Sequence, residues 1–225
     1  MKRLLVSVIL LAMSGWALAA SGVAGVYKLD GSYVSATLDL KGDHRFTFQF
    51  QGPNMKGEAA GVWREADGKV VLNSDEARPA FSLRDSLPGD GRWRVEFVQE
   101  DGKPLPGKPS PRSQVGMNGL AAALICTDGQ AMAMGDAAME PGQWQLSWKP
   151  ACELKHIGVV NALNVFQAPV VIDAKPGMNH YRIAVNSASL YQIPFKDHAL
   201  AVDRDHLQMK TPQSEFKLDL AKVVD

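Results

Sequence analysis

The sequence has few cysteines, no excess charge of either sign and few long apolar runs, and each shortage excludes a class of protein. Only 2 of the 225 residues are cysteine, which excludes a disulfide-dense scaffold. The 24 basic and 24 acidic side chains cancel, whereas nucleic-acid binding requires clustered Lys and Arg. A hydrophobic content of 46% also excludes a disordered chain. We therefore expect a globular protein with no nucleic-acid partner.

The sequence also lacks the short motifs that accompany catalysis. It has no Gly-x-Ser-x-Gly elbow, no phosphate-binding glycine loop, no His-Glu-x-x-His pair and no dinucleotide fingerprint. Its 5 histidines are scattered along the chain. A site could still assemble from distant residues, because catalytic triads are defined by geometry and not by order. We nevertheless expect a protein that is not an enzyme.

The one long apolar run lies at the N-terminus. Lys2 and Arg3 precede an apolar stretch from Leu4 to Met13, and Ala17-Leu18-Ala19 has the small-x-small pattern of a signal peptidase site. A membrane anchor is the alternative, but the stretch is short of the about 20 residues that a span needs. We expect residues 1–19 to be a cleaved signal peptide of a bacterial periplasmic protein with no transmembrane anchor.

The two cysteines, Cys126 and Cys152, would then meet an oxidising compartment, which favours a disulfide between them. A bond closing a loop of about 26 residues stabilises a fold by about 3.5 kcal/mol in the chain-entropy model. Reactive or metal-binding thiols are the alternative, but no Cys-x-x-Cys spacing supports it. We predict the disulfide.

Apolar and polar residues alternate along most of the chain between turn residues, which predicts an all-β fold. We predict a small antiparallel meander or barrel over residues 20–88. The breaker-rich segment Leu87–Gly91 predicts a boundary, followed by a β-sandwich over residues 91–225. The last hairpin, 199–220, belongs either to the sandwich or to the first domain.

Two families are similar to parts of this sequence. Gly25-Val26-Tyr27, the run from Leu38 to Phe50, Gly61-Val62-Trp63 and Val70-Val71-Leu72 resemble the lipocalin-like β-barrel domains of bacterial envelope proteins, over about residues 22–85. The resemblance implies a barrel of about eight strands, of which fewer are visible before Leu87. Either the barrel is incomplete or a distant segment completes it.

The second resemblance begins at about residue 92. A strand from Val95 that runs into Asp101–Gly107 is similar to the opening of transthyretin-like or carboxypeptidase-regulatory-like sandwich domains. This resemblance implies a fold only, because these domains share no catalytic residues.

Aromatic residues mark one candidate binding site. Phe46, Phe48, Phe50 and Trp63 could line a pocket for a small apolar ligand, since barrels of about eight strands can hold one. The same side chains could instead fill the interior. Tyr181, Tyr191 and Phe195 could mark a protein-contact patch, because aromatic residues are enriched at interfaces.

Methionines mark a second candidate site, between the two cysteines. Met132, Met134 and Met139 supply soft thioether ligands that suit copper, and His156 could be a fourth ligand. The alternative is that the methionines fill a core, as flexible apolar side chains often do.

The function expected from these patterns is a non-catalytic periplasmic binding protein that recognises another envelope protein or component. It would use the loops at one end of the sandwich or an open strand edge. Copper handling through residues 132–139 and carriage of a small apolar ligand in the barrel are the alternatives.

Overall fold

The computed structural model describes residues 22–53, 55–76, 78–107, 119–134, 137–139, 143–211 and 217–224. The strands up to the middle of the chain are β1 (Gly25–Asp30), β2 (Ser35–Leu40), β3 (Arg45–Gly52), β4 (Met55–Ala66), β5 (Lys69–Ser74), β6 (Phe81–Leu87), β7 (Trp93–Gln99) and β8 (Leu120–Cys126). The later strands are β9 (Ala131–Met132), β10 (Ala138–Met139), β11 (Gln145–Trp148), β12 (Leu154–Asn161), β13 (Val170–Asp173), β14 (His180–Val185), β15 (His198–Asp203), β16 (His206–Lys210) and β17 (Lys217–Lys222). The predicted all-β fold is confirmed.

Eight strands from the two ends of the chain close into an antiparallel barrel. Their order around the barrel is β1-β17-β16-β15-β5-β4-β3-β2. The seam lies between the first and last strands, where Tyr27 pairs with Lys222. The hairpin of β15 and β16 therefore lies in the barrel, and the rest of the described chain between β5 and β15 forms an insertion.

The insertion is a sandwich of two sheets with the orders β10-β11-β7-β14-β6 and β13-β12-β8-β9. Its core is built from fully buried side chains of both sheets, among them Val95, Leu124, Trp148 and Ile183. Strand β6 lies in this sandwich, where it pairs with β14, and not in the first domain where the predicted boundary had placed it. The chain leaves the barrel between β5 and β6, ahead of the Leu87–Gly91 turn.

Small residues on β4 make room for the large ones on β3. Phe46, Phe48 and Phe50 lie opposite Gly61, Ala59 and Gly57 in the antiparallel register. A Cβ atom at Gly61 would come within 2.8 Å of the Phe46 ring and within 2.1 Å of the Asn73 carbonyl oxygen. Glycine is thus required at this position by close approach, and the phenyl rings fill the space that it leaves.

Two buried asparagines order the loops that follow β12 and β14 and join the sandwich to the barrel. Asn164 donates to the carbonyls of Leu190 (3.3 Å) and Gln192 (3.2 Å), and its side-chain oxygen accepts the Phe166 amide at 3.2 Å. Asn161 donates to the same Leu190 carbonyl at 2.8 Å. Because buried backbone carbonyls must be paired, these amides hold the two loops in one arrangement.

The second of these loops extends the barrel wall beside the first half of β4. The Glu58 amide donates to the Tyr191 carbonyl, and the Ile193 amide donates to the Glu58 carbonyl, both at 2.8 Å. The Ser74 amide donates to the Phe195 carbonyl at 2.9 Å. The loop that links the sandwich to the barrel is therefore itself hydrogen-bonded to the barrel wall.

His198 is a half-buried side chain in the barrel wall. It lies opposite Leu72, whose side chain is fully buried, and its ring centroid is 4.9 Å from that of Phe195. Its Nε2 atom is buried and finds no hydrogen-bond partner among the described residues. Desolvation lowers the pKa of His198 below its ordinary value of 6.5, against a hydrogen bond to the Lys210 main chain that raises it.

We expect His198 to make the fold less stable in mild acid. Below pH 6.5 the unfolded chain takes up a proton at this residue before the folded chain does, so the free energy of unfolding falls as the pH is lowered. Urea unfolding between pH 7 and about pH 5 measures the slope, which should be shallower in His198→Leu. Equal slopes in wild type and His198→Leu would contradict the expectation.

Two expectations about membranes concern different parts of the chain. The predicted signal peptide, residues 1–19, lies outside the described residues. Among the residues that the structure describes, no helix has the length and apolar character needed to cross a membrane.

Candidate binding cleft

The four aromatic residues predicted to line a ligand pocket are packed inside the barrel. Phe46, Phe48, Phe50 and Trp63 are each at most 3% exposed. The ring of Phe166, from the loop after β12, contacts Phe48 and Phe50 edge-on at centroid distances of 5.5 and 5.2 Å. The structure thus brings these residues together around another side chain of the same protein, which fits a filled interior better than a ligand cavity.

The aromatic residues predicted as a contact patch are mostly internal. Phe195 is 5% exposed and packs against Phe46 and Phe48 in the barrel core. Tyr181 is 1% exposed and belongs to the sandwich core. The alternation from Tyr181 to Val185 already indicates an inner face for Tyr181, whereas Phe195 lies in a loop without alternation. The patch prediction was wrong for these two residues.

The methionines and the histidine of the predicted copper site do not share a face. Met132 lies opposite Leu124, which lies opposite Ile157, so its side chain points into the sandwich. His156 precedes Ile157 and points to the other side of that sheet, where its Nδ1 atom lies 2.9 Å from Asp173 Oδ1. Met134 and Met139 pack against the sandwich core in the same way as Met132.

The two cysteines form the predicted disulfide. The Cα atoms of Cys126 and Cys152 are 5.9 Å apart, within the range of natural disulfides. Asp128 lies close to both sulfurs, but a disulfide has no thiolate to offer a metal ion. The bond ties the end of β8 to the segment before β12.

A cleft of about 580 Å³ opens beside this disulfide, at the end of the sandwich remote from the barrel. We call it the distal cleft. Its volume is within the range of pockets that bind small molecules or peptide segments. Apolar and basic side chains dominate its lining: Trp93, Leu154, Lys155, Lys175, Met178 and Tyr181.

One wall of the distal cleft is a turn with the sequence Lys175-Pro176-Gly177-Met178. Proline at the second position and glycine at the third, with φ of +74° at Gly177, are typical of a type II turn. The Met178 amide donates to the Lys175 carbonyl at 3.1 Å and closes it. The proline, the glycine and this hydrogen bond therefore determine the backbone shape of this wall.

The side-chain hydroxyl of Tyr181 holds this turn in place through hydrogen bonds to its backbone. Its hydroxyl accepts the Lys175 amide at 3.1 Å and donates to the Met178 carbonyl at 3.1 Å. Burial raises the pKa of Tyr181, so the hydroxyl stays protonated and able to donate at neutral pH. On the opposite side the Thr127 amide donates to the Glu153 carbonyl at 2.9 Å. Both rims are thus held in place before any ligand arrives, which lowers the entropic cost of binding.

The two lysines at the rim of the distal cleft have no acidic partner among the described residues. The ammonium groups of Lys155 and Lys175 are exposed and form no ion pair with any residue that the structure describes. Among the described residues that line the distal cleft, Glu153 is the only carboxylate and none is a histidine. An apolar floor below two free ammonium groups suits a ligand with an apolar body and an acidic group.

Sequence reasoning missed the distal cleft because its parts are far apart in the chain. Trp93 and Tyr181 are brought together by the parallel pairing of β7 and β14, in which Tyr181 lies opposite Val95. Parallel pairing leaves no local signal in a sequence with hairpin-like alternation. The Lys-Pro-Gly-Met turn was the one feature that could have indicated a shaped loop there.

No protein-family model, no curated protein and no solved structure matches this chain.

Proposed function

We propose that this protein is a non-catalytic binding protein of the bacterial periplasm, and that its distal cleft takes up an acidic segment of another envelope component. The observation that carries the proposal is the pair of unpaired ammonium groups, Lys155 and Lys175, above an apolar floor. Preformed rims support binding, and the lining offers one carboxylate and no imidazole for proton transfer.

The location is part of the proposal and rests on the signal-peptide pattern of residues 1–19 and on the disulfide. We also propose that the barrel is lipocalin-like in architecture, with a closed eight-stranded wall, but that it serves as a support. Phe166 and Phe195 occupy the interior where a carried ligand would lie.

Charge reversal at the rim tests the proposal. We expect Lys155→Glu with Lys175→Glu to weaken partner binding by at least about tenfold, because two exposed ion pairs worth up to about 1 kcal/mol each are lost and the new carboxylates repel an acidic ligand. To identify the partner, the envelope fraction is treated with a carbodiimide, which joins amines to carboxylates. Mass spectrometry of the crosslinked product then identifies the partner peptide. Its affinity for the wild type and the variant is then measured by calorimetry.

The matched control reverses two exposed lysines on the barrel, Lys69→Glu with Lys210→Glu, which changes the net charge equally. This control should bind as the wild type does. Crosslinks through barrel lysines alone, or equal affinity in both double variants, would refute the assignment of the cleft.

A further inference from the structure

The disulfide beside the distal cleft is part of a cluster of three side chains with the donor atoms of a metal site. The Sγ atoms of Cys126 and Cys152 and one carboxylate oxygen of Asp128 all lie within 4.8 Å of one another. Thiolate sulfur and carboxylate oxygen are both ligands of zinc in proteins. The sulfurs coordinate a metal ion as thiolates, so the cluster becomes a binding site only when the disulfide is reduced.

Backbone hydrogen bonds hold Cys126 and Asp128 in one tight turn, independently of the disulfide. The Gly129 amide donates to the Cys126 carbonyl at 3.1 Å, and the Cys126 amide donates to the Gln130 carbonyl at 2.8 Å. The Asp128 Oδ1 atom accepts the Gln130 amide at 2.9 Å, an arrangement that is common for aspartate in turns. A carboxylate that accepts one such bond keeps lone pairs for a metal ion.

Strand pairing holds the third side chain, Cys152, beside this turn. The Thr127 amide donates to the Glu153 carbonyl at 2.9 Å, and Leu154 pairs with Cys126 between β12 and β8. Because these contacts are made by the backbone, they do not require the covalent bond. The Cα atoms of the two cysteines are 5.9 Å apart. At this separation, rotation about the Cα–Cβ bonds allows both sulfurs to reach one ion at about 2.3 Å, the length of a zinc–sulfur bond.

The two sulfurs differ in their access to solvent. Cys126 is 1% exposed, whereas Cys152 is half-buried and lines the distal cleft. A thiolate that enters the cleft therefore reaches the Cys152 sulfur first. The same opening gives a metal ion an entry path to the cluster, which a working site needs.

We propose that the dithiol form of this protein binds one Zn²⁺ ion through Cys126, Cys152 and Asp128, and that disulfide formation abolishes the site. A dithiol reductant opens it. One thiolate of the reductant attacks the Cys152 sulfur, and the Cys126 sulfur leaves as a thiolate. The second thiol of the reductant then resolves the mixed disulfide, so the reductant becomes a disulfide and both cysteines are reduced. Zn²⁺ binds the two thiolates, and the thiol protons pass to water.

The donor atoms favour zinc over copper. Copper(I) is selected by soft sulfur ligands, whereas the carboxylate of Asp128 is a hard ligand. Zinc accepts mixed sulfur and oxygen ligands in a tetrahedron, and three protein ligands leave the fourth position to water. This site does not depend on the acidic partner proposed above, because Lys155 and Lys175 take no part in it.

Metal titration of the reduced protein tests the site. The purified protein is reduced with a phosphine, desalted without oxygen and titrated with Zn²⁺ against a chromophoric chelator. We expect one equivalent to bind to the reduced protein, and the oxidised protein not to compete with the chelator. Co²⁺ should give the thiolate charge-transfer bands and the ligand-field bands of a tetrahedral site.

Asp128→Asn keeps an acceptor for the Gln130 amide and removes the carboxylate. It should weaken Zn²⁺ binding by at least about tenfold, because changes outside the ligand shell already cost about that much. The matched control is Asp101→Asn, at a second Asp-Gly turn in which Asp101 Oδ1 accepts the Lys103 amide at 3.0 Å. This control should bind Zn²⁺ as the wild type does.

Stability provides a second measurement, because reduction also removes the restraint of the disulfide. Zn²⁺ should raise the urea midpoint of the reduced protein and leave that of the oxidised protein unchanged. If the reduced chain unfolds without metal, one equivalent of Zn²⁺ should restore the circular dichroism of the oxidised protein. The proposal would be overturned by no binding to the reduced protein, by equal affinities in Asp128→Asn and Asp101→Asn, by octahedral cobalt bands, or by equal binding to the oxidised protein.

Discussion

Replacing Phe166 by alanine is expected to lower the free energy of unfolding by about 3–5 kcal/mol, the usual cost of emptying a buried phenyl site. Phe166 is 2% exposed, and it packs edge-on against Phe48 and Phe50 and at 6.1 Å from Phe195. The residue comes from the loop after β12 and completes the barrel core from outside its wall. Its loss would leave a void that the β-strand backbones cannot close.

Urea unfolding of Phe166→Ala measures this effect, and hydrogen exchange shows where it acts. Amides of barrel strand β2 and of sandwich strand β7 should exchange faster together, because the shared loops couple the two units. Tyr33→Ala, at a side chain that is 79% exposed, should change stability by less than about 0.5 kcal/mol. A loss in Phe166→Ala that is no larger than this would contradict the packing described above.

Removing the disulfide with Cys126→Ala and Cys152→Ala is expected to cost about 3.5 kcal/mol, the chain-entropy value for its loop. The cysteines are 26 residues apart, and the unfolded chain gains the conformations that the bond forbids. Urea unfolding of the variant should show a lower midpoint together with a larger slope, because the unlinked denatured state is more expanded.

A reducing agent provides the control for this result. It should destabilise the wild type by a similar amount and leave the double variant unchanged. Because Cys152 also lines the distal cleft, the variant should lose part of its partner affinity. Identical stability of wild type and variant would show that the bond constrains nothing in the unfolded chain.

The alternation of apolar and polar residues predicted the positions of the strands better than it predicted which strands pair. Alternation over Phe46, Phe48 and Phe50 identified both β3 and its inner face, since period two is an intrinsic property of a strand. The mainly apolar runs Leu120–Cys126 and Val170–Asp173 likewise form strands with these bounds. Neighbouring hairpins follow from such runs because their turns are local.

The closure of the barrel by strands from opposite ends of the chain could not be predicted from alternation. The pairing of β1 with β17 joins residues from opposite ends of the chain, and alternation does not specify a partner. Phe166 follows Asn-Val in a loop without periodicity, so no pattern placed it inside the barrel. The cleft residues Lys155 and Lys175 are ordinary exposed lysines in the sequence, and they acquire a role only where β12 and the turn before β14 meet.

The interrupted barrel has a consequence for synthesis of the chain. Strands β1 to β5 emerge early, but β1 and β5 lack their outer neighbours until β15 to β17 follow the whole sandwich. Products that stop short of β15 therefore keep two open sheet edges and an uncovered aromatic interior, which favour aggregation and proteolysis. Both edges are covered only when β15 to β17 have been synthesised and have paired with β5 and β1.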